Sequence, residues 1–153
     1  MPGRTAAAWQ AAPVANVTLA QLASSTDSLR LSLHVLAASV WVGGQLVLGG
    51  LVPVGRRAGG DVTKQMARAF ARLAWPAFIV LVGTGIWNAA DASKGQSSTW
   101  KAVLMVKIIL VLLAGVGTGL HTRATSRAAL AVWGAVGALC SVAALVMGVV
   151  LAG

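Results

Sequence analysis

Four long apolar stretches dominate the chain, and short segments rich in polar residues and glycine separate them. The apolar stretches cover residues 31–54, 70–90, 102–120 and 128–152. An α-helix rises about 1.5 Å per residue, so roughly 20 apolar residues cross a hydrocarbon core of about 30 Å. Because the connections are short, neighbouring helices run in opposite directions. The pattern therefore predicts an all-α, integral membrane four-helix up-and-down bundle.

The first thirty residues do not continue this pattern. They carry Arg4, Trp9 and scattered polar groups, and they lack the continuous apolar core of a cleavable signal peptide. Residues 1–30 are predicted to form a short N-terminal extramembrane segment, and residues 31–153 the four-helix transmembrane domain. An apolar rhythm between Val17 and Leu29 is also compatible with a helix that lies in the membrane interface.

The composition agrees with lipid as the main solvent. Hydrophobic residues make up 58% of the chain and charged residues 10%, with a mean hydropathy of +0.82, whereas about a quarter of the residues in a soluble domain are charged. The formal net charge of +9 would indicate nucleic acid binding in a soluble protein. Here the basic residues lie between apolar stretches, where they contact anionic lipid head groups. The expected partner is the lipid bilayer and not nucleic acid.

The distribution of basic residues predicts the orientation in the membrane. The connections after the first and third stretches share one side, and the N-terminal segment and the second connection share the other. The two sides carry seven and four basic residues, namely Arg56, Arg57, Lys64, Arg68, Arg72, Arg123 and Arg127 against Arg4, Arg30, Lys94 and Lys101. Since positive charge is enriched on the cytoplasmic side, we expect a multi-pass protein of the cytoplasmic membrane with both termini extracytoplasmic.

Two of the predicted helices carry polar or aromatic side chains on one face. At about 100° per residue, the residues that share this face on the first helix are His34, Trp41 and Gln45. On the third helix they are Lys107, Thr118 and His121. The two faces are predicted to point at each other inside the bundle. Trp41 lies too deep for an interfacial position and is expected to pack between helices.

Depth divides the polar residues into two layers. The outer layer, near the extracytoplasmic surface, is predicted to contain His34, Thr84, Asn88, Lys107 and Met147. The inner layer is predicted to contain Gln45, Thr118 and His121. The two histidines differ by roughly 17 residues of depth, which is about 25 Å along a helix. They are therefore too far apart to bind one metal ion or one haem iron together.

An ionisable side chain within a span costs roughly 2.5–3.5 kcal/mol on insertion scales, so each one is a functional candidate. His34 is a metal ligand, a haem ligand, a proton acceptor or a structural hydrogen-bonding group. Lys107 either pairs with a ligand carboxylate or extends to the outer head groups. His121 suits a role at a helix end. Cys140 and Met147 either offer sulfur to Cu(I) or simply pack.

Three blocks of sequence carry a resemblance to a known family. They are LHVLAASVWVGGQLVLGG at 33–50, ARAFARLAWPAFIVLVGTGIWNA at 67–89 and WKAVLMVKIILVLLAG at 100–115. In order, they resemble the His and Trp-x-Gly-Gly helix, the Thr-Gly-x-x-Asn helix exit and the Lys-bearing helix of the copper-resistance protein D (CopD) family. The wider superfamily includes the HemJ-type protoporphyrinogen oxidases, whose pattern is similar at Pro76, Lys107 and His121.

The resemblance implies copper handling or transport across the cytoplasmic membrane, with His34 and Met147 as metal ligands and Asn88 as a neighbour. The alternative that it implies is a haem or porphyrin protein that binds haem b. There His34 would ligate the iron or abstract a proton, Lys107 would pair with a propionate, and Asn88 and Trp41 would line the cofactor. A third reading is a structural subunit of a larger membrane complex or a homo-oligomer, packed over abundant glycine. The sequence leaves enzymatic activity open and favours a non-enzymatic role.

Overall fold

The computed structural model describes residues 25–153, and this part of the chain is helical apart from short connections. The elements are α1 (Ser25–Ala38), a π-helical segment (Ser39–Gly43), α2 (Gly44–Ala58), α3 (Gly60–Ala92), α4 (Ser98–Arg123) and α5 (Arg127–Ala152). The first three are continuous and together form the first span. Four helices are long and apolar enough to cross a membrane. The predicted all-α four-helix bundle is confirmed, and its helices have the length and composition of membrane spans.

The first span begins slightly earlier than its apolar stretch. Helix α1 starts at Ser25 and has Asp27 in its first turn, where a negative charge interacts favourably with the helix dipole. The last residues of the predicted N-terminal segment therefore belong to a helix. Residues 1–24, and with them most of that segment and of the predicted interfacial helix, lie outside the described residues.

Helices α2 and α3 extend past the apolar stretches at the opposite end. Helix α2 continues through Pro53 to Ala58, and α3 begins at Gly60 after a single connecting residue. That residue is Gly59, whose φ of 120° favours glycine. Arginine, lysine, glutamine and methionine are good helix formers, so the basic segments extend the helices instead of forming a loop. With 33 residues, α3 is about 50 Å long, more than the 40–45 Å of a whole bilayer.

Side-chain caps fix where the last two helices begin. The Ser97 hydroxyl accepts a hydrogen bond from the backbone N–H of Trp100 at 3.2 Å. The Ser126 hydroxyl does the same for Ala129 at 3.1 Å. Each cap supplies a partner to an N–H group that has none within its helix. The short connections then return the chain antiparallel, as the hydropathy pattern predicts.

The bundle consists of two hairpins. The first hairpin is the first span packed on α3, and the second is α4 packed on α5. Within the second hairpin the backbones approach closely, because a Cβ added at Gly117 would lie 2.9 Å from the backbone N of Gly137. Between hairpins, the Phe78 ring on α3 packs against Gly115 on α4, and the π-helical segment contacts α5. The first span and α4 are therefore diagonal to each other.

An aromatic cluster occupies the centre of the bundle. Trp41, in the π-helical segment, is 1% exposed. Its ring lies 4.3 Å from Phe78 and 5.7 Å from Trp75, measured between ring centroids. The expectation that Trp41 packs between helices is confirmed. A π-helical segment is wider than an α-helix and often occurs at functional positions. The segment changes the directions in which the side chains of α2 point relative to those of α1. A projection at a constant 100° per residue does not include this change.

Candidate functional site

The outer layer is the end of the bundle at which α1 begins and α5 ends. His34, on α1, faces the neighbouring helix α3, where its Nδ1 lies 2.9 Å from the Thr84 hydroxyl oxygen. The ring rests on Gly85, since a Cβ added there would be 3.3 Å from the imidazole Cε1. Thr84 is buried at 8% exposure. The imidazole is therefore held inside the bundle by α3.

Lys107 reaches the same layer from α4. Its side chain is half-buried, and its Nζ lies 3.1 Å from the position that a Cβ would take at Gly148 on α5. The absence of a side chain at Gly148 leaves room for the amine. Lys107 and His34 thus lie at the same end of the bundle, each on a different hairpin.

Asn88 and Met147 are the other residues predicted for this layer. Asn88 lies one turn beyond Thr84 on α3, and its Oδ1 is buried without a hydrogen-bond partner among the described residues. Met147 is half-buried on α5, next to Gly148. The carbonyl oxygen of Asn88 is thus an acceptor with no donor. It is available to a ligand that enters the layer.

Trp41 lies in the packed centre of the bundle and not in the outer layer. Its indole Nε1 donates a hydrogen bond to the Ser141 hydroxyl on α5 at 2.9 Å. Gln45 reaches the same oxygen at 3.4 Å, and the Ser141 hydroxyl donates to the backbone carbonyl of Gly137 at 2.7 Å. Ser141 therefore joins the first span to α5. Ser141 is not predictable from the sequence, because one serine in an apolar helix gives no signal.

The inner layer lies at the end where α2 meets α3. His121 donates from Nδ1 to the carbonyl oxygen of Leu130 at 2.8 Å, and its ring packs against Gly134. His121 therefore ties α4 to the first turn of α5. Thr118 faces Gly137, and its hydroxyl oxygen is buried without a hydrogen-bond partner within residues 25–153. The two histidines lie at opposite ends of the bundle and contact different helices.

A charged cluster closes the outer end of the first hairpin. Arg30 lies one turn before His34 on α1, and its side chain is only 10% exposed. The guanidinium pairs with Asp27 at 3.4 Å and with Asp91 at the end of α3. It also lies 5.7 Å from the centre of the Trp87 ring, in a cation–π contact. This role of Arg30 is not predictable from the sequence, where it counts only as one basic residue near the start of the first span.

The outer layer contains few side chains that could bind a metal ion. Among residues 25–153, no group of three or more His, Cys, Asp or Glu side chains is placed to hold a metal ion. His34 is therefore a single imidazole accompanied by an amine and an amide. Cys140 is a free, half-buried thiol on α5. This set suits a ligand that needs one nitrogen donor and one positive charge.

The fold and the outer layer define a multi-pass helical membrane protein with a polar site inside its bundle. No protein-family model matches the chain, and no curated protein or solved structure matches it.

Proposed function

We propose that the protein binds a carboxylate-bearing porphyrin, with haem b as the simplest case, in the outer layer of the bundle. The observation that carries this proposal is that a held imidazole, His34, lies at the same end of the bundle as a half-buried amine, Lys107. An imidazole nitrogen ligates haem iron. A lysine ammonium pairs with a carboxylate. Both groups of the site thus have a partner on one ligand.

The individual residues fit this ligand in different ways. Thr84 holds the His34 ring, and the bare backbone at Gly148 accommodates the Lys107 amine that would meet a propionate. Asn88 offers an unpartnered acceptor to a donor group on the ligand. When bound, haem would supply one-electron redox chemistry to the site. The chain's own part is to hold, orient and neutralise the ligand.

Copper handling, implied by the resemblance to the CopD family, is the second candidate. The half-buried Met147 lies beside Gly148, the residue that Lys107 contacts, so a thioether on α5 is near the layer that holds His34. Imidazole and thioether are ligands that suit Cu(I). A copper cation would be repelled by a charged Lys107, so this function requires the lysine to be neutral or turned away. The porphyrin proposal needs no such change.

An absorption spectrum with metal analysis of the purified protein separates the candidates. The porphyrin proposal predicts a Soret band that His34→Ala abolishes and that Lys107→Met weakens. His121→Ala is the matched control, because that imidazole contacts Leu130 at the other end of the bundle. A colourless protein that binds Cu(I) only with His34 intact would favour copper handling. If neither ligand binds, the chain is better explained as a structural subunit of a larger complex.

The orientation is proposed from the basic residues. We place the protein in the cytoplasmic membrane with both termini extracytoplasmic, since the seven-to-four excess of basic residues lies at the α2–α3 end. The turn around Gly59 follows Arg56 and Arg57, both exposed, which makes it a site for trypsin. Trypsin is expected to cut there in inverted vesicles and to spare it in right-side-out vesicles. The reverse pattern would overturn the orientation.

A further inference from the structure

We infer that Thr84 fixes the neutral His34 imidazole in the tautomer that carries its proton on Nδ1. The Nε2 atom then carries a lone pair that is available to the site. Thr84 is thus a positioning residue for His34. The tautomer follows from the fold alone, and its consequence for a ligand rests on the proposed porphyrin function. The sequence predicts Thr84 only as a polar residue of the outer layer, and its role towards His34 comes from the contact of its hydroxyl group.

The single hydrogen of the Thr84 hydroxyl determines which tautomer His34 adopts. The hydroxyl oxygen lies 2.7 Å from the backbone carbonyl oxygen of Val80 and 3.2 Å from that of Leu81. A carbonyl oxygen only accepts, so the hydroxyl must donate its hydrogen there. The oxygen then has only lone pairs left for His34, whose Nδ1 is 2.9 Å away. The imidazole must therefore be the donor at Nδ1.

The opposite tautomer would lose hydrogen bonds. A bare Nδ1 would require Thr84 to turn its hydrogen away from the carbonyls of its own helix. The hydrogen on Nε2 would then need an acceptor of its own, whereas the hydrogen bond between His34 and Thr84 involves Nδ1. A hydrogen bond lost in this way costs about 0.5–1.5 kcal/mol. The environment on α3 therefore selects one of the two neutral tautomers.

The fixed tautomer determines which chemistry the site accepts. A neutral imidazole with a bare Nε2 ligates a metal centre or accepts a proton, and it cannot donate a hydrogen bond from that nitrogen. The ligand must therefore bring iron or an acidic N–H or O–H group to His34 and its carboxylate to Lys107. Second-shell partners that orient a ligating histidine typically change metal affinity by 10- to 100-fold. We expect a haem-affinity loss of about this size in Thr84→Val.

Nitrogen-15 NMR of histidine-labelled, ligand-free protein in lipid nanodiscs tests the tautomer, at a pH where both imidazoles are neutral. His121 is an internal reference, since its Nδ1 also donates to an oxygen, and His34→Ala assigns the signals. We expect both histidines to carry the proton on Nδ1. Thr84→Val should move His34 towards the Nε2-protonated form without affecting His121, and Thr84→Ser should restore the original state.

Two results would overturn the inference: a proton on Nε2 of His34 in the unaltered protein, or an unchanged His34 signal in Thr84→Val. If Thr84→Val does not fold, the unaltered protein and Thr84→Ser still decide the tautomer. Haem titration of the same samples keeps the two proposals separate. A shifted tautomer without any haem binding supports the role of Thr84 and refutes the porphyrin function. Haem binding that Thr84→Val leaves equally tight refutes the role of Thr84 in ligation.

Discussion

Replacing Ser141 by alanine is the most direct test of how the two hairpins are held together. The change removes the acceptor of the Trp41 indole N–H, which is 2.9 Å away, and adds no new atoms. Trp41 is 1% exposed, so water cannot replace the serine oxygen. A buried donor left without a partner costs about 1–3 kcal/mol.

The membrane setting narrows this range. Hydrogen bonds between helices in bilayers average about 0.6 kcal/mol and reach about 1.7 kcal/mol. Because Trp41 is almost completely buried, we expect Ser141→Ala to lower the free energy of unfolding by about 1–2 kcal/mol, near the upper end of the range for membrane proteins. That corresponds to a change of about 5- to 30-fold in the unfolding equilibrium constant. Steric trapping or titration with a denaturing detergent in mixed micelles measures it.

Ser39→Ala is the matched control. Like Ser141, Ser39 donates to the carbonyl oxygen four residues earlier, in this case Val35 at 2.9 Å, but its side chain is exposed and joins no second helix. Its replacement should change the free energy of unfolding by less than about 0.5 kcal/mol. In a Trp41→Phe background, the effect of Ser141→Ala should fall to the same level. Equal costs for the two serines in the unaltered protein would refute the reasoning.

Three further predictions use the same unfolding assay. Gly117→Ala should destabilise the protein by about 1–3 kcal/mol, because its Cβ would lie 2.9 Å from a backbone nitrogen of α5. In the control variant Gly83→Ala the new Cβ enters open space, so the free energy of unfolding should not fall. Equal effects of the two variants would count against close packing of the second hairpin. A double-mutant cycle on Arg30 and Asp91 should give a coupling free energy of about 0–1 kcal/mol that decreases as the salt concentration rises. A coupling free energy that does not depend on salt would contradict a half-exposed ion pair. His121→Ala should cost about 0.5–1.5 kcal/mol and leave ligand binding intact, and a loss of binding would assign it to the site.

The hydropathy pattern predicted the number of membrane helices because long apolar runs have few other uses in a chain of this length. It did not predict how far the helices extend. Hydropathy detects residues that are stable in the hydrocarbon core of a membrane. Helix α2, however, continues through Pro53 and the basic residues to Ala58. That continuation depends on helix propensity and on packing at Gly55, where a Cβ would meet the Thr63 hydroxyl oxygen at 2.8 Å.

The site was predictable in its residues and not in its arrangement. Depth alone placed His34 and Lys107 in one layer, and an ionisable group in a span is conspicuous. The π-helical segment was not predictable, because residues 39–43 have no local reason to leave the α-helix and the tertiary contacts of Trp41 accompany the change. Ser141 was not predicted, and Thr84 was predicted only as a polar residue of the outer layer, because a small hydroxyl gains importance only from the group that faces it on another helix.

The division into two hairpins has a consequence for stability. His34 belongs to the first hairpin and Lys107 to the second, and the hairpins meet at the centre of the bundle, with Phe78 against Gly115 and Trp41 against α5. A molecule that contacted both His34 and Lys107 would join the two hairpins at a second place. Its binding would then oppose their separation and raise the free energy of unfolding.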